Sequence, residues 1–411
     1  MPILLEEDYN ISLPKMYKVK QSFNKEKLKD IEGTIKSEIN KEEIKSKIKI
    51  GQKVAVAVGS RGIKNISKIV KSVIEVIKDA GGEPFIVSAM GSHGSGTEEG
   101  QREILNGYGI TEEAMGVKII TKTDVVEIGK TKKGITVYFD KASFEADLIV
   151  PINRVKLHTD FVSDIQSGIC KMLVIGLGNH KGCTSIHEED FDCFGELLKE
   201  AATMIMEKSN VGFGVAIVEN AYDQTALIKA IPAENLIEEE IKLVKIAKQN
   251  MPTLMIPDID ILIVQEIGKN ISGAGFDPNI LGKSYILNEF VLDTPKINRM
   301  ILLDISEESH GNGIGLGIFD IITKKVFDQL DYESIYANGI AVKCIDDCKI
   351  PLIAKDEDEA LKIAIKVLRH ADKENLKIVK IKNTLQLEFI EVSEILLNDV
   401  SNNERLTLIN A

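Results

Sequence analysis

Four of the chain's six histidines fall between positions 93 and 187, and the last two of these lie in KMLVIGLGNHKGCTSIH, the stretch from Lys171 to His187. Lys171 sits between QSGIC and MLVIGLG, surroundings apolar enough to lower a lysine's pKa and make its amine a nucleophile. His187 is followed by Glu188, Glu189 and Asp190, carboxylates able to orient an imidazole that binds a metal. Three further segments carry reactive types: GSRGIKN with Arg61, GSHGSGT with His93, and NRVKLHTDF with Arg154, Lys156 and His158. An arginine fork suits a carboxylate, and two histidines near it can exchange protons with a substrate at neutral pH.

Each of these residues also has an ordinary use. Arg61 reads equally as a solvated loop cation, His93 and His158 as structural histidines, and Lys171 as a snorkelling side chain on an apolar helix face. The glycines around His93 lack both the GK[ST] ending of a P-loop and GxGxxG spacing, and no HExxH is present, so no standard nucleotide or zinc motif settles the matter. Coincidence on one sheet edge is what raises the reading above its parts.

The elements that must create that edge are legible. KVAVAVG (53–59) reads as a buried parallel strand, the following segment as a helix with Asn65 as cap and Gly81 as its end, and PFIVSAM (84–90) as a second strand. Thr97 opens another helix, KTKKGITVYF signals a hairpin, and DLIVPIN and GFGVAIVE are further strands, with helices over 195–209 and 234–250. After residue 250 the alternation restarts with IDILIVQEIG and MILLDIS, helices over GLGIFDIITKKVFDQL and DEDEALKIAIKVLRHA, and two strands near the end. The expectation is an α/β protein of two α/β domains, 1–250 and 251–411, with a cleft between them and a largely parallel sheet in the first. In such sheets the loops leaving the carboxyl ends of neighbouring strands gather on one edge, where ligands bind.

Composition narrows the classes. A chain of 411 residues with 44% hydrophobic and 28% charged content is globular, and a net charge of −12 argues against nucleic acid as a partner. The opening MPILLEEDYN has no basic or long apolar segment, so export and membrane spans are not expected. Five unevenly spaced cysteines suit a reducing cytoplasm rather than a disulfide framework.

In these residues the chain resembles the lactate racemase family, whose members use a nickel-pincer nucleotide. The resemblance implies that Arg61 holds a substrate carboxylate, His93 and His158 are the catalytic histidines, Lys171 is covalently attached to the cofactor, and His187 ligates nickel. It implies a racemase or epimerase that moves a hydride from C2 of a 2-hydroxy acid to the cofactor and back, served by cofactor-building enzymes. The stretch TDFVSDIQSGIC (159–170) is longer and more acidic than the glycine-rich segment typical of lactate-acting members, and the arginine loop lacks their aspartate and proline. Asp160, Ser163, Asp164 and Gln166 tilt the substrate toward a sugar acid such as an aldonate, or are solvated loop residues. In the second domain GKNISGAGFDPN (268–279) reads as a binding loop after a strand, with Lys269 and Asn270 as cofactor-binding candidates, or as a surface turn. HGNGIGLG (310–317) lines a site or begins a helix. The competing readings are a metal-dependent hydrolase using the same histidines and a non-catalytic cofactor or small-anion binding protein.

Overall fold

The computed structural model describes residues 3–60, 62–189, 191–369 and 372–409. The chain forms two compact units, one of Lys25–Met251 and one of Met1–Asn24 with Pro252–Ala411. The sequence reading assigns the opening residues to the first domain, whereas the structure groups them with the second. The cause is strand β1 (Met16–Gln21), which is held antiparallel by strands from the far end of the chain.

In the Lys25–Met251 unit the strands are β2 (Lys53–Val58), β3 (Glu83–Ser88), β4 (Ile119–Ile120), the hairpin β5 (Val125–Lys130) and β6 (Thr136–Asp140), β7 (Leu148–Arg154), β8 (Phe213–Glu219) and β9 (Thr225–Pro232). Apart from the hairpin they form one sheet in the order β4-β3-β2-β7-β8-β9, parallel except for β9. Alternation along β2 explains its packing. Val54, Val56 and Val58 enter a core shared with Ile69, Val70, Val73, Ile74 and Ile77 of the helix Ile66–Asp79, while the intervening alanines face the other side. On that other side the segment 169–176 packs on β7 and β8, and Ile169 reaches the glycine at 214.

The second unit carries β10 (Asp258–Val264), β11 (Lys296–Leu302), β12 (Ile321–Thr323), β13 (Leu352–Ala354), β14 (Ile378–Ile381), β15 (Phe389–Ser393) and β16 (Leu406–Leu408). With β1 they make a mixed sheet in the order β13-β12-β11-β10-β14-β15-β1-β16. Leu262 and Val264 serve one core and Ile261 and Ile263 the other, so this sheet is covered on both faces. Among the described residues no helix is long and apolar enough to cross a membrane.

Two local expectations are corrected. GLGIFDIITKKVFDQL is not one helix: its β-branched centre, Ile321–Thr323, is strand β12, paired parallel to β11 and β13, and only Lys324–Gln329 is α-helical. Asn65 does not cap its helix through its side chain; it adopts a left-handed φ of 64° and its Nδ2 donates to Thr225 Oγ1 at 3.1 Å, tying the loop after β2 to β9.

Phe213 is fully buried where β8 meets this core. Phe213→Ala is expected to destabilise the Lys25–Met251 unit by about 3–5 kcal/mol, read as a lower denaturant midpoint for the transition of that unit. A change under about 1 kcal/mol would show that the core collapses around the loss.

Candidate functional site

Parallel register sets Val58 beside Ser88 and beside Ile152, so the loops that follow β2, β3 and β7 leave from one edge. Ser60 stands on the first, His93 on the second and His158 on the third. Arg61 lies outside the described residues. Its loop is nevertheless anchored on the far side: Lys64 N–H donates to Glu219 Oε1 at 2.6 Å, and the other oxygen of Glu219 holds the guanidinium of Arg154 in an ion pair.

His93 shares a hydrogen bond through Nδ1 with Ser60 Oγ, and Tyr108 fixes that serine by donating from its hydroxyl to the Ser60 carbonyl at 2.5 Å. The loop after β7 is closed by reciprocal backbone bonds between Lys156 and Ser167, at 2.9 and 3.1 Å. Within it Gln166, nearly fully buried, accepts from His158 N–H at 2.7 Å and donates to Ser163 O at 3.0 Å, while Asp160 N–H donates to His158 Nδ1 at 3.1 Å. Asp164 pairs with Lys199 at 3.5 Å. Gln166 and Asp164, read from the sequence as groups for substrate hydroxyls, are therefore engaged in holding the loop and its neighbour.

His158 Nε2 and Lys171 Nζ are hydrogen-bonded to each other. Lys171 ends the helical turn Ile169–Lys171, which continues as a π-helix over Met172–Gly176 and then, past a break, as the helix Asn179–His187. π-Turns inside helices are rare and gather at functional sites. The glycine at 176 permits the close approach: a Cβ there would stand 2.7 Å from the Ala89 carbonyl oxygen of the His93 loop. At the break Asn179 takes a left-handed φ of 51°, and its buried Nδ2 donates to Asp140 Oδ2 at 3.1 Å. Asp140 also accepts from the N–H and hydroxyl of Ser143, both at 2.7 Å; burial outweighs these bonds and raises its pKa.

His187 Nδ1 donates to the Cys183 carbonyl oxygen at 2.7 Å, one helical turn back. That bond fixes the tautomer and leaves Nε2 as the nitrogen with a lone pair, the arrangement a metal-binding histidine requires. The orienting acceptor is thus a backbone carbonyl and not the carboxylates that follow: Glu189 pairs with Lys133 at 3.3 Å, and Asp190 lies outside the described residues. Cys183 Sγ lies 3.5 Å from His187 Nδ1 and 3.7 Å from Ser92 Oγ, which joins the His93 loop to this helix. Burial opposes charge on both members of the pair, yet each favours the charged form of the other, so the thiol pKa is lowered and the imidazole pKa raised. Lys171 is near enough for its charge to oppose part of that rise.

An aromatic wall joins the two ends. Ring centroids of His158 and Phe161 are 4.4 Å apart, Phe161 and Phe194 5.1 Å, and Phe194 and His187 5.2 Å. His158, Lys171 and His187 are thereby linked through successive contacts, and the His93 loop joins them through Ser92 and Cys183. His180 packs against the glycine at 96, in the loop that carries His93. Among the described residues no three His, Cys, Asp or Glu side chains converge to hold a metal ion.

Lys269 and Asn270 belong to the other unit, in the loop after β10. Lys269 Nζ donates to Gly273 O at 2.7 Å and Asn338 Oδ1 at 2.6 Å, and Asn270 Oδ1 accepts from Ser306 Oγ at 2.6 Å. The Ser306 loop follows β11, so both segments stand at the carboxyl edge of that sheet.

One contributor is not among the residues singled out in the sequence. Glu240, wholly buried on the helix Leu236–Asn250, accepts through Oε2 from Ile169 N–H at 2.6 Å and Cys170 N–H at 3.0 Å, the first two residues of the Lys171 turn. Its signal was present: Leu236, Glu240, Leu243, Val244 and Ala247 are the buried positions of that helix, so one carboxylate occupies an apolar phase.

A largely parallel sheet with helices on its faces and histidine and lysine side chains on the loops at its carboxyl edge defines an α/β protein whose sheet edge is the candidate site. Residues 2–195 match the family described as the lactate racemase N-terminal domain. The whole fold is similar to the lactate racemase apoprotein from Thermoanaerobacterium thermosaccharolyticum, with a TM-score of 0.58, 14% identity, and coverage of 90% of this chain and 99% of that one. No curated protein matches the sequence.

Burial pushes the Glu240 carboxyl up to about 7 from 4.5, over the opposing pull of its two backbone bonds and of the Cys170 thiol. A carboxyl raised on folding contributes stability that is full below its unfolded value and is lost as pH rises through the folded one. Native chain is therefore expected to lose stability relative to Glu240→Gln as pH climbs from about 4.5 to about 7. Parallel stability curves for the two proteins would show that Glu240 keeps no raised pKa in the fold.

Proposed function

We propose that this chain is an isomerase, a racemase or epimerase that inverts C2 of a 2-hydroxy acid with the help of a nickel-pincer nucleotide. The observation that supports it most is the gathering of His93, His158, Lys171 and His187 within one unit. The donors suit the group. Lys171 has its amine at the surface of an apolar helix, where a covalent bond to a carbonyl-type carbon can form, and His187 has Nε2 available to a metal while Nδ1 is tied to the backbone. His187 would hold the metal through Nε2, and the cofactor's own soft donors would supply the rest of its coordination.

When bound, such a group supplies a reversible acceptor for the hydrogen and electron pair of the substrate's C2–H bond, which no side chain can provide. The chain's own part is binding, proton transfer and exclusion of water. Arg61 would pair with the substrate carboxylate through its planar fork. His93 and His158 would each take the C2 hydroxyl proton from one face and return it to the other, one imidazole serving each direction of a reversible inversion. Ser60 orients the first imidazole and Asp160 N–H the second. Phe161 and Phe194 keep the space beside His187 apolar, which strengthens electrostatic contacts there. Lys269 and Asn270, the cofactor-binding candidates of the other unit, are held there by Gly273, Asn338 and Ser306. The case for an aldonate rests on the polar character of the loop after β7, although Gln166 and Asp164 are engaged elsewhere and the Asp160 carboxylate lies 3.9 Å from His158 Nδ1. We read the enzyme as cytoplasmic and served by cofactor-building enzymes; its five cysteines are free thiols.

Co-production with those enzymes, followed by intact mass and nickel analysis, tests the reading. An adduct on Lys171 with one nickel per chain is expected, lost in Lys171→Ala. His187→Ala should keep the adduct and lose nickel; His93→Ala should keep both and lose roughly 10²–10⁴ of the turnover. The assay is interconversion of C2-deuterated lactate, malate, aryl-lactates and aldonates, with the label retained. Bound zinc on an unmodified lysine would point to a hydrolase, and an adduct without turnover across the panel to a carrier.

A further inference from the structure

We propose that Glu240 is a positioning residue for Lys171, setting through the backbone where the amine stands against His158. The observation is a wholly buried carboxylate with no cation beside it in the contacts that hold it: Oε2 accepts from the Ile169 and Cys170 N–H groups, and the Cys170 thiol adds a side-chain hydrogen bond to the carboxyl. Burying such a group costs free energy unless it is satisfied, so a core that needed only volume there would be better served by leucine.

What the carboxylate secures is specific. The turn Ile169–Lys171 has no side-chain cap, and the two N–H groups that Glu240 receives are orphan donors at its start. Fixing them fixes the direction in which the third residue, Lys171, leaves the backbone, and Lys171 Nζ meets His158 Nε2. The chain makes room for this contact at 168, where a Cβ would stand 2.6 Å from the Glu240 Cδ and Oε1. A neutral amide of the same shape can still offer one oxygen to both N–H groups, whereas alanine cannot. Glu240 does not touch the amine, substrate or cofactor in this scheme; it acts through the turn.

The inference rests on the reading of Lys171 as the attachment point, but its test does not need the cofactor. Full-length chain made without cofactor is acetylated with a limiting amine-reactive ester, and the rate at Lys171 is read by peptide mass spectrometry against Lys355, whose side chain is 81% exposed. His158→Ala is expected to change the Lys171 rate about fivefold, the effect of one hydrogen bond, with the reference unchanged. Glu240→Ala should change it in the same direction and to the same extent, the double variant should add nothing further, and Glu240→Gln should restore the native rate. Should Glu240→Ala fail to fold, Gly168→Ala, which drives a methyl group into the carboxylate, reads the same displacement. A Lys171 rate that stays native in Glu240→Ala or Gly168→Ala, or in His158→Ala, would overturn the inference. Absence of an adduct on Lys171 in co-produced protein would instead count against the proposed function and leave these rates as they are.

Discussion

Lys171 and His187 lie on one helical segment, and an unbroken α-helix would hold residues sixteen apart at about 24 Å along its axis. The Lys171–His158 bond and the ring contacts that run from His158 to His187 through Phe161 and Phe194 link the two side chains across the segment. The segment itself is broken between them. A π-turn over Met172–Gly176 and the left-handed Asn179 redirect the chain, and Asp140 holds Asn179 in that conformation from within the core. Left-handed backbone at a non-glycine residue costs free energy and persists only where its surroundings over-determine it. Here the buried amide–carboxylate bond and the tight passage of the Ala89 carbonyl over the glycine at 176 supply that determination.

The sheet supplies the other half of the site. Because β3, β2 and β7 are parallel and in register, three loops from distant parts of the sequence begin at one edge, and the segment 169–187 closes under them. The short bonds are then local: Ser60 to His93, Ser92 to Cys183, Lys171 to His158. Each ties a loop either to its neighbour or to the broken helix. The site is thus a property of the parallel register, and the amphipathic helix Ile66–Asp79 that buries the valines of β2 supports it from the opposite face.

Much of this was legible from the sequence, for physical reasons. The strands β2, β3, β7 and β8 are runs of β-branched and small apolar residues buried on both sides, which no amphipathic helix would tolerate. Residues Ile66 to Ile77 repeat at helical spacing, and the hairpin turn carries its glycine at 134 with φ 84°. Reactive residue types could also be picked out, because lysine and histidine are conspicuous in apolar or glycine-rich surroundings. What could not be read was anything fixed by tertiary contact. β12 is three residues long and owes its state to the strands on either side, β1 is recruited by strands some 370 residues away, and Asn65 is held by Thr225 rather than by its own helix. Glu240 was missed because a single carboxylate at an apolar phase looks like noise until the two N–H groups it receives are seen.

The central claim is that Lys171 and His187 hold two parts of one metallated group. Crystals of chain co-produced with the cofactor-building enzymes, measured at the nickel absorption edge, address it most directly. The expected result is one anomalous peak within bonding distance of His187 Nε2 and density continuous with Lys171 Nζ. An anomalous peak at Cys183 Sγ or at a surface site, with the Lys171 amine still against His158, would contradict it.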